Sequence, residues 1–273
     1  MQTALNAKPV LSAFLQSCHG QGIRAVENSL DADAAVIWSV LWNGRMLKNK
    51  EVYEHYRQQG KPVIIIDVGA LHRNITWKIA INNINAFGIY GHTENLDYDR
   101  PKKLNIKINP YVKKSDAILI AAQHSKSLQV SNLQSVKQWI SDTVADLRKF
   151  TDREIVVRPH PRSPLALLSF PEKNVLVKQP VLLPSTYDSF NIDYNYYAVV
   201  NYNSGPGIQS ALNSCPTIVD SSSLAYPVSN NIKNIDNLVD KDRQQWLVEI
   251  AHTEYTVNEI ADGLWFKRLE QYL

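Results

Sequence analysis

Short, almost continuously apolar runs recur along the chain and alternate with stretches of helical spacing. In the front half, apolar runs cover residues 34–40 and 63–68, and an amphipathic segment at 49–59 lies between them. Almost continuously apolar runs of this length are typical of strands that are buried on both faces of a parallel sheet. Gly60 follows the amphipathic segment, where a C-terminal helix cap belongs. The order strand, helix, strand predicts a parallel sheet with right-handed crossovers.

The back half repeats this alternation. Its predicted strands lie at 117–122, 155–157, 174–177, 197–202 and 217–220. Its predicted helices lie at 131–150, 205–214, 242–252 and 257–272. The front half adds predicted helices at 9–19 and 75–84 and a polar connector at 105–114. We therefore predict an α/β protein with two Rossmann-like domains that face a central cleft, residues 1–113 forming the first and residues 114–273, with C-terminal helices, the second.

Composition excludes some classes of protein. The longest aliphatic run, residues 63–66, is far shorter than the roughly 20 residues that span a bilayer. No basic segment followed by an apolar one opens the chain, so we expect a cytoplasmic protein without a membrane segment. Residues 1–113 carry 14 Lys or Arg against 9 Asp or Glu, whereas residues 114–273 carry 15 against 17. The basic front half indicates an anionic partner, although such an excess is also ordinary for a small domain.

A candidate phosphate cradle lies at residues 204–210, Ser-Gly-Pro-Gly-Ile-Gln-Ser, between a predicted strand and a predicted helix. Free N–H groups and the helix dipole favour a phosphate at a helix N-terminus, and Ser204 can cap that helix and bind a phosphate oxygen. The turn lacks the third glycine and the following acidic residue of the dinucleotide fingerprint. It could also be only a tight connection between strand and helix.

Arg158, His160 and Arg162 alternate along an extended segment after a predicted strand, so their side chains share one face. Arginine binds phosphate bidentately at any relevant pH. The loop after the strand at 117–122 would lie at the same sheet edge, where α/β proteins bind ligands. A solvated loop with incidental basic residues is the alternative. Together with the cradle at 204–210, these residues suit the diphosphate of a nucleotide-sugar donor. The candidate donor-binding residues are Gln123, Ser125, Lys126, Arg158, His160, Arg162, Ser204, Gly205, Gly207 and Gln209.

Asp67 ends the most apolar strand of the front half and is our candidate for the general base of a group transfer. It could instead cap a turn or pair with His72 or Arg73, and Asp97 and Asp99 are alternative bases. Aromatic and basic residues interleave near the ends of the front-half strands, which suits a flat, anionic acceptor such as a stacked base. Packing is the alternative role for the tryptophans. The candidate acceptor-binding residues are Trp42, Asn43, Arg45, His72, Arg73, Trp77 and Lys78.

Two family resemblances meet at these residues. The back half resembles capsule-polysaccharide glycosyltransferases in Ile118-Leu119-Ile120 with Gln123, in Arg158-Pro159-His160-Pro161, in Ser204-Gly205-Pro206-Gly207 and in the segment 255–263. The front half, over 36–46 and 61–69, resembles bacteriophage proteins that glycosylate hydroxymethylated pyrimidines in DNA. The combined resemblance implies a GT-B glycosyltransferase. Many members hold the donor ribose with a Glu, whereas this chain offers only Gln209 and, further on, Asp220.

From the residues and the resemblance together we expect sugar transfer, with glucose from UDP-glucose as the leading donor, to 5-hydroxymethylcytosine or a related base in double-stranded DNA. Asp67 would be the base, while Arg158 and His160 would stabilise the departing diphosphate. We expect no metal and no cofactor beyond the UDP-sugar substrate. We also expect a monomer without a membrane partner. The alternatives are a glycosyltransferase of capsule or surface polysaccharide synthesis and a non-catalytic nucleotide- or DNA-binding module.

Overall fold

The chain forms two compact units in a computed structural model that describes residues 3–113, 115–163, 165, 169–186 and 190–273. Unit 1 consists of Met1–Ile106 and Val248–Leu273, and unit 2 consists of Lys107–Leu247. The first boundary lies close to the predicted one at residue 113. The C-terminal segment differs from the prediction, because it belongs to unit 1 and not to the second domain.

Unit 1 is built on a mixed four-stranded sheet. With elements numbered in chain order, its strands are β1 (Ala35–Trp38), β2 (Val63–Val68), β3 (Trp77–Ile81) and β11 (Glu254–Tyr255). Its helices are α1 (Thr3–Gly20), α2 (Leu47–Gln58), α3 (Arg100–Lys103), α7 (Val257–Ala261) and α8 (Phe266–Leu269). The strand order is β1-β2-β3-β11, in which β1 and β2 are parallel and the other pairs antiparallel. The predicted β1-α2-β2 alternation is confirmed, whereas the rest of this sheet is not Rossmann-like.

The clearest local error of the prediction is β3. Residues 75–84 were expected to form a helix, but Trp77–Ile81 pairs antiparallel with β2 and is buried throughout. Apart from Lys78 this short run is apolar, and it is buried on both faces, so its periodicity cannot separate a strand from a helix. The aromatic and β-branched residues of this run favour the strand.

The C-terminal segment completes the core of unit 1. The Trp265 indole stacks on Phe14 of α1 with ring centroids 4.3 Å apart, and its Nε1 donates to Ser17 Oγ at 3.0 Å. Gly263 has a φ of +74°, which ends the helical run expected over 257–272 and separates α7 from α8. β11 adds a fourth strand beside β3.

Unit 2 carries a five-stranded, fully parallel sheet in the order β10-β9-β4-β5-β6. Its strands are β4 (Ile118–Ala121), β5 (Ile155–Arg158), β6 (Val175–Val177), β9 (Ala198–Asn201) and β10 (Thr217–Val219), with a separate antiparallel pair β7 (Val181–Leu182) and β8 (Phe190–Asn191). Its helices are α4 (Val136–Arg148), α5 (Gly205–Leu212) and α6 (Gln244–Ala251), which ends in unit 1. The parallel α/β arrangement predicted for the back half is confirmed in this unit.

Short 3-10 helices complete the described secondary structure: Gly44–Met46, Leu128–Val130, Tyr226–Val228, Ile232–Asn234 and Glu270–Tyr272. The apolar face of α4, including Ile140 and Val144, packs on one face of the unit 2 sheet. Ser135 caps α4 by accepting a hydrogen bond from the Gln138 N–H. No described helix is long and apolar enough to cross a bilayer.

The division into units changes the charge distribution that the sequence halves suggest. Unit 1 contains 14 Lys or Arg and 14 Asp or Glu residues, because the C-terminal segment brings five acidic and two basic side chains while Lys107 and Lys113 belong to unit 2. Unit 2 contains 15 Lys or Arg and 12 Asp or Glu residues. The basic surplus of the front half therefore disappears once the chain is grouped as it folds.

Candidate functional site

The order in which the chain adds strands to the unit 2 sheet reverses between β4 and β9. From β4, the strands β5 and β6 follow on one side, whereas β9 and β10 lie on the other. In open parallel sheets, the carboxyl ends of the strands beside such a reversal form the usual ligand crevice. The residues directly after these two strands, 122–127 and 202–205, are therefore the first candidates for a binding site.

A buried amide network joins the two strand ends. Gln123 Nε2 donates to Asn203 Oδ1 at 2.9 Å, and the Asn203 N–H donates back to Gln123 Oε1 at 3.2 Å. Asn203 Nδ2 also donates to Ser222 Oγ at 2.9 Å and to the Gln129 carbonyl at 3.0 Å. Gln123, predicted to bind the donor, is thus 5 % exposed and holds the neighbouring loop.

Asn201 fixes the entry to α5. Its Nδ2 donates to the Ala121 carbonyl of β4 at 2.8 Å and to Ser204 Oγ at 3.0 Å, while its Oδ1 accepts the Ser204 N–H at 2.8 Å. Ser204 makes no side-chain capping bond to α5, which corrects the predicted capping role. Its hydroxyl is instead held beside Asn201, with part of the residue exposed at the crevice.

The glycines of the predicted cradle have different roles. A Cβ on Gly207 would lie 2.8 Å from Val219 Cγ1 of β10, so this glycine permits close packing of α5 on the sheet. Its N–H donates to the Ser204 carbonyl at 3.1 Å, and Pro206 has no N–H. Gly205 is partly exposed and supplies the backbone N–H that is best placed at the mouth of α5. Gln209 lies one turn further along the helix.

Two loops meet beside this crevice, one after β4 and one after β5. Ser125 Oγ lies 3.1 Å from Ser163 Oγ, and the His124 and His160 rings are 5.2 Å apart, edge to face. Lys126 and Arg162, the cations of these loops, are both exposed. The structure thus brings together four predicted donor-binding residues, Ser125, Lys126, His160 and Arg162.

Both histidines accept hydrogen bonds through Nδ1. The Lys126 N–H donates to His124 and the Arg162 N–H donates to His160, each at 3.1 Å. A neutral ring that accepts at Nδ1 carries its proton at Nε2 and can donate from there. Burial, with the nearby Arg162 and Lys126 charges, lowers the pKa of His124, so that ring is neutral at pH 7.

Arg158 has structural contacts at the end of β5. Its Nη1 donates to the Asp193 carbonyl at 2.7 Å, and its guanidinium lies 4.9 Å from the centre of the Tyr194 ring. The residue is 9 % exposed. These contacts give Arg158 a role in the packing of unit 2, and its expected contact with a diphosphate stays a prediction.

Asp67 lies at the end of β2 in unit 1 and keeps part of its surface exposed. Its carboxylate accepts the Val68 N–H at 2.7 Å and the Ser39 hydroxyl at 3.4 Å, and Lys78 is its cross-strand partner. Burial raises the pKa of Asp67, while the Val68 N–H and the Lys78 charge oppose that rise. These contacts replace the pairing with His72 or Arg73 that the sequence left open.

The predicted acceptor-binding residues of unit 1 do not form one exposed surface. Trp77 and Lys78 are 7 % and 5 % exposed, because both belong to β3 in the middle of the sheet. His72 Nε2 lies 3.1 Å from the Asn105 carbonyl, and Trp42 packs against Tyr53 with ring centroids 5.7 Å apart. The residues that remain exposed are Asn43 and Arg73. The side chain of Arg45 lies outside the described part of the chain.

Asp97, one of the two alternative bases, also has partners. Asp97 accepts from Lys103 Nζ at 2.5 Å and, through Oδ1, from the Asp99 N–H at 3.0 Å. The Lys103 ammonium lowers the pKa of Asp97, which makes it a weaker base than Asp67. Among the described residues, no three His, Cys, Asp or Glu side chains are grouped as a metal site requires. That the chemistry needs no metal stays a prediction.

Sequence reasoning missed Asn201, Asn203 and Ser163, which hold the loops of the crevice in place. A usable signal was present in Asn201-Tyr202-Asn203-Ser204. Asparagine is disfavoured in strands, so two asparagines at the end of an apolar strand indicate side chains that are needed for hydrogen bonds.

No protein-family profile and no curated protein sequence matches the chain. Solved structures do show similarity. The beta Kdo 2,4 transferase of Thermosulfurimonas dismutans KpsC matches with a TM-score of 0.48 at 13 % identity, over 89 % of this chain and 90 % of that chain. The beta Kdo 2,7 transferase of the same KpsC matches with a TM-score of 0.47 at 12 % identity, over 92 % and 94 %.

Proposed function

We propose that this protein is a glycosyltransferase that takes its sugar from a nucleotide-sugar donor bound by unit 2. The supporting observation is the carboxyl edge of the unit 2 sheet. There the strand order reverses, α5 begins at Gly205, and the loops that carry Lys126 and Arg162 contact each other through Ser125 and Ser163. A partly exposed helix N-terminus beside two exposed cations suits the diphosphate of such a donor.

The chemistry follows from where charge develops. When the bond from the sugar to the diphosphate breaks, negative charge accumulates on the leaving phosphate. Lys126, Arg162 and the Gly205 N–H would stabilise that charge, which lowers the barrier more than it strengthens ground-state binding. A protonated Nε2 on His160 would add a further donor.

The acceptor hydroxyl needs a base, and Asp67 is the candidate that unit 1 offers. Its raised pKa moves it closer to the working pH, which favours a general base. Lys78, directly opposite on β3, would hold the carboxylate in place. Inversion at the sugar carbon would then follow from direct attack by the acceptor.

For the acceptor we favour a saccharide hydroxyl of a surface polysaccharide over a base in DNA. Double-stranded DNA is bound mainly by cations that neutralise its phosphates. Unit 1 has equal numbers of acidic and basic side chains, and two of its predicted DNA-contacting residues, Trp77 and Lys78, are buried. One of the observations that pointed to DNA was the basic front half, and that surplus is absent from the folded unit.

The test is sugar transfer by the full chain from a panel of labelled nucleotide sugars. The acceptors are surface-polysaccharide oligosaccharides, hydroxymethylated duplex DNA and unmodified duplex DNA. We expect transfer to an oligosaccharide and none to either DNA. Transfer to the hydroxymethylated duplex alone would restore the DNA acceptor. Donor binding without transfer to any acceptor would instead indicate a non-catalytic nucleotide-binding module.

Variants locate the donor site. Lys126→Gln and Arg162→Gln should each lower turnover about 10- to 100-fold, since each removes a charge from the leaving group. Lys137→Gln, which changes an exposed lysine of α4, is the matched control and should retain full activity. Equal rates in all three variants would show that the diphosphate is bound elsewhere.

A further inference from the structure

A cavity of about 250 Å³ lies in unit 1, among residues that the proposed function does not use. Its walls come from the loop at 91–97, from β11 and from the C-terminal helical turns. A water molecule takes up roughly 30 Å³ in the liquid, so the cavity is large enough for a small ion or a single sugar ring. Nine of the eleven lining residues have polar or charged side chains, although their carbon atoms supply more of the exposed lining than their nitrogen and oxygen atoms.

The charges in the lining favour an anion. Two of the charged lining residues are already paired outside the lining, Arg100 with Glu259 and Asp97 with Lys103. Lys267 and Arg268 therefore remain against the single carboxylate of Glu94. Arg268 donates to three backbone carbonyls, those of Gly91, Glu94 and Asn95, at 2.8 to 2.9 Å. These acceptors are uncharged, so they orient the guanidinium without neutralising it.

Tyr255 supplies the second observation. Its side chain lines the cavity and is 1 % exposed, yet its hydroxyl has no hydrogen-bond partner within the part of the chain that the structure describes. Buried hydroxyl groups are nearly always hydrogen-bonded, so an unpartnered one at a cavity wall indicates a missing acceptor. The Arg100 guanidinium lies 5.2 Å from the centre of the Tyr255 ring.

His252, which also lines the cavity, does not supply the acceptor that the Tyr255 hydroxyl lacks. Its Nδ1 lies 2.7 Å from the Val248 carbonyl and its Nε2 accepts the Asp97 N–H at 3.1 Å. This pair of contacts requires a neutral ring with the proton on Nδ1. The ring therefore adds no charge to the cavity and has both nitrogens engaged.

We propose that this cavity binds a small anion, a carboxylate or a phosphate, either free or carried by a single sugar unit. The Tyr255 hydroxyl would donate to an anionic oxygen, and Lys267 and Arg268 would provide the attracting charge. The proposal does not rest on the glycosyltransferase activity, because no residue of the donor site takes part.

The experiment measures binding to the full chain by isothermal titration calorimetry. The probes are inorganic phosphate, galacturonate and, as the uncharged counterpart, galactose. We expect phosphate or galacturonate to bind and galactose not to bind. Binding of phosphate alone would identify a phosphate site, and binding of galacturonate alone a site for a carboxylated sugar. Equal binding of galactose and galacturonate, or no binding of either anion, would overturn the proposal.

Two variants assign the binding to this cavity. Tyr255→Phe removes only the hydroxyl and should weaken anion binding about tenfold, since a hydrogen bond to a charged group is lost. Lys267→Gln should weaken it by a similar factor. Tyr90→Phe is the matched control, because the Tyr90 hydroxyl is equally buried and also unpartnered among the described residues but does not line this cavity. Unchanged affinity in Tyr255→Phe, or an equal loss in Tyr90→Phe, would contradict the assignment.

Discussion

At the scale of single residues, His252 makes the folding stability of unit 1 depend on pH. Burial lowers its pKa to about 4, and the nearby Arg268 and Arg100 charges act in the same direction. In the unfolded chain a histidine titrates near 6.5. Between these two values the unfolded state binds a proton that the folded state does not. The stability that His252 contributes is therefore complete above about pH 6.5 and is lost as the pH falls towards 4.

We expect the wild-type protein to lose about 2 kcal/mol of unfolding free energy through this residue between pH 7 and pH 4.5. Urea unfolding at both pH values measures the loss, and His252→Gln should show a smaller one. His19→Gln, which changes an exposed histidine, should behave as the wild type. Identical losses in all three proteins would mean that His252 titrates normally when folded.

Single residues also show where sequence reasoning stops. The pattern around residue 205 correctly located a strand, a turn and a helix, but it assigned phosphate binding to Gly207, whose contacts show a packing role. Likewise, the alternation of Arg158 with His160 does not reveal the contacts of Arg158. Its guanidinium binds the Asp193 carbonyl and packs on the Tyr194 ring, more than 30 positions away in the sequence. Such partners come from tertiary contacts that the local pattern does not contain.

At the scale of elements, the loop between β2 and β3 depends on one buried carboxylate. Glu254 of β11 is fully buried and accepts the Ala70 N–H and the Thr76 hydroxyl, each at 2.6 Å, and also the Leu71 N–H. Gly69 begins this loop. A Cβ at Gly69 would lie 2.3 Å from both the Thr76 carbonyl oxygen and Glu254 Oε2.

Gly69→Ala should therefore destabilise unit 1 by about 2–4 kcal/mol, because backbone atoms must move and the Glu254 hydrogen bonds lengthen. Urea denaturation followed by tryptophan fluorescence measures the change. Gly20→Ala is the control, since a Cβ there meets no atom within 4 Å. If the two variants unfold at the same urea concentration, the loop is not packed as described.

The helices and strands that could be predicted from the sequence are those with a clear pattern of apolar residues. β2 has its predicted bounds, and the strands of unit 2 lie within one or two residues of theirs. β3 was mistaken for a helix, because what makes it a strand is its pairing with β2 and with β11, a segment more than 170 residues away. β7 and β8 are two-residue strands without any sequence signal.

At the scale of the whole molecule, the C-terminal segment connects distant parts of the sequence. Val248–Leu273 supplies β11, α7 and α8 to unit 1. A linear reading places these residues with their neighbours in sequence, and composition offers no boundary at residue 248. The same assignment decides whether unit 1 is basic or neutral, and with it which acceptor is favoured.

Deletion of residues 248–273 should unfold unit 1, because Phe14 loses its stacking partner Trp265 and β3 loses its neighbour β11. We expect fast hydrogen exchange throughout β1, β2 and β3, with protection retained in β4, β5 and β9 of unit 2. Hydrogen exchange followed by mass spectrometry distinguishes the two sets of strands. Full protection of β2 and β3 in the shortened chain would contradict the assignment of this segment.

The proposed function depends above all on the binding of a nucleotide-sugar diphosphate at the carboxyl edge of the unit 2 sheet. Its most direct test is a crystal structure of the full chain with a nucleoside diphosphate bound. We expect a phosphate oxygen within hydrogen-bond distance of the Gly205 N–H, with Lys126 or Arg162 in contact with the same phosphates. A diphosphate bound in unit 1, or at the opposite edge of the unit 2 sheet, would contradict it.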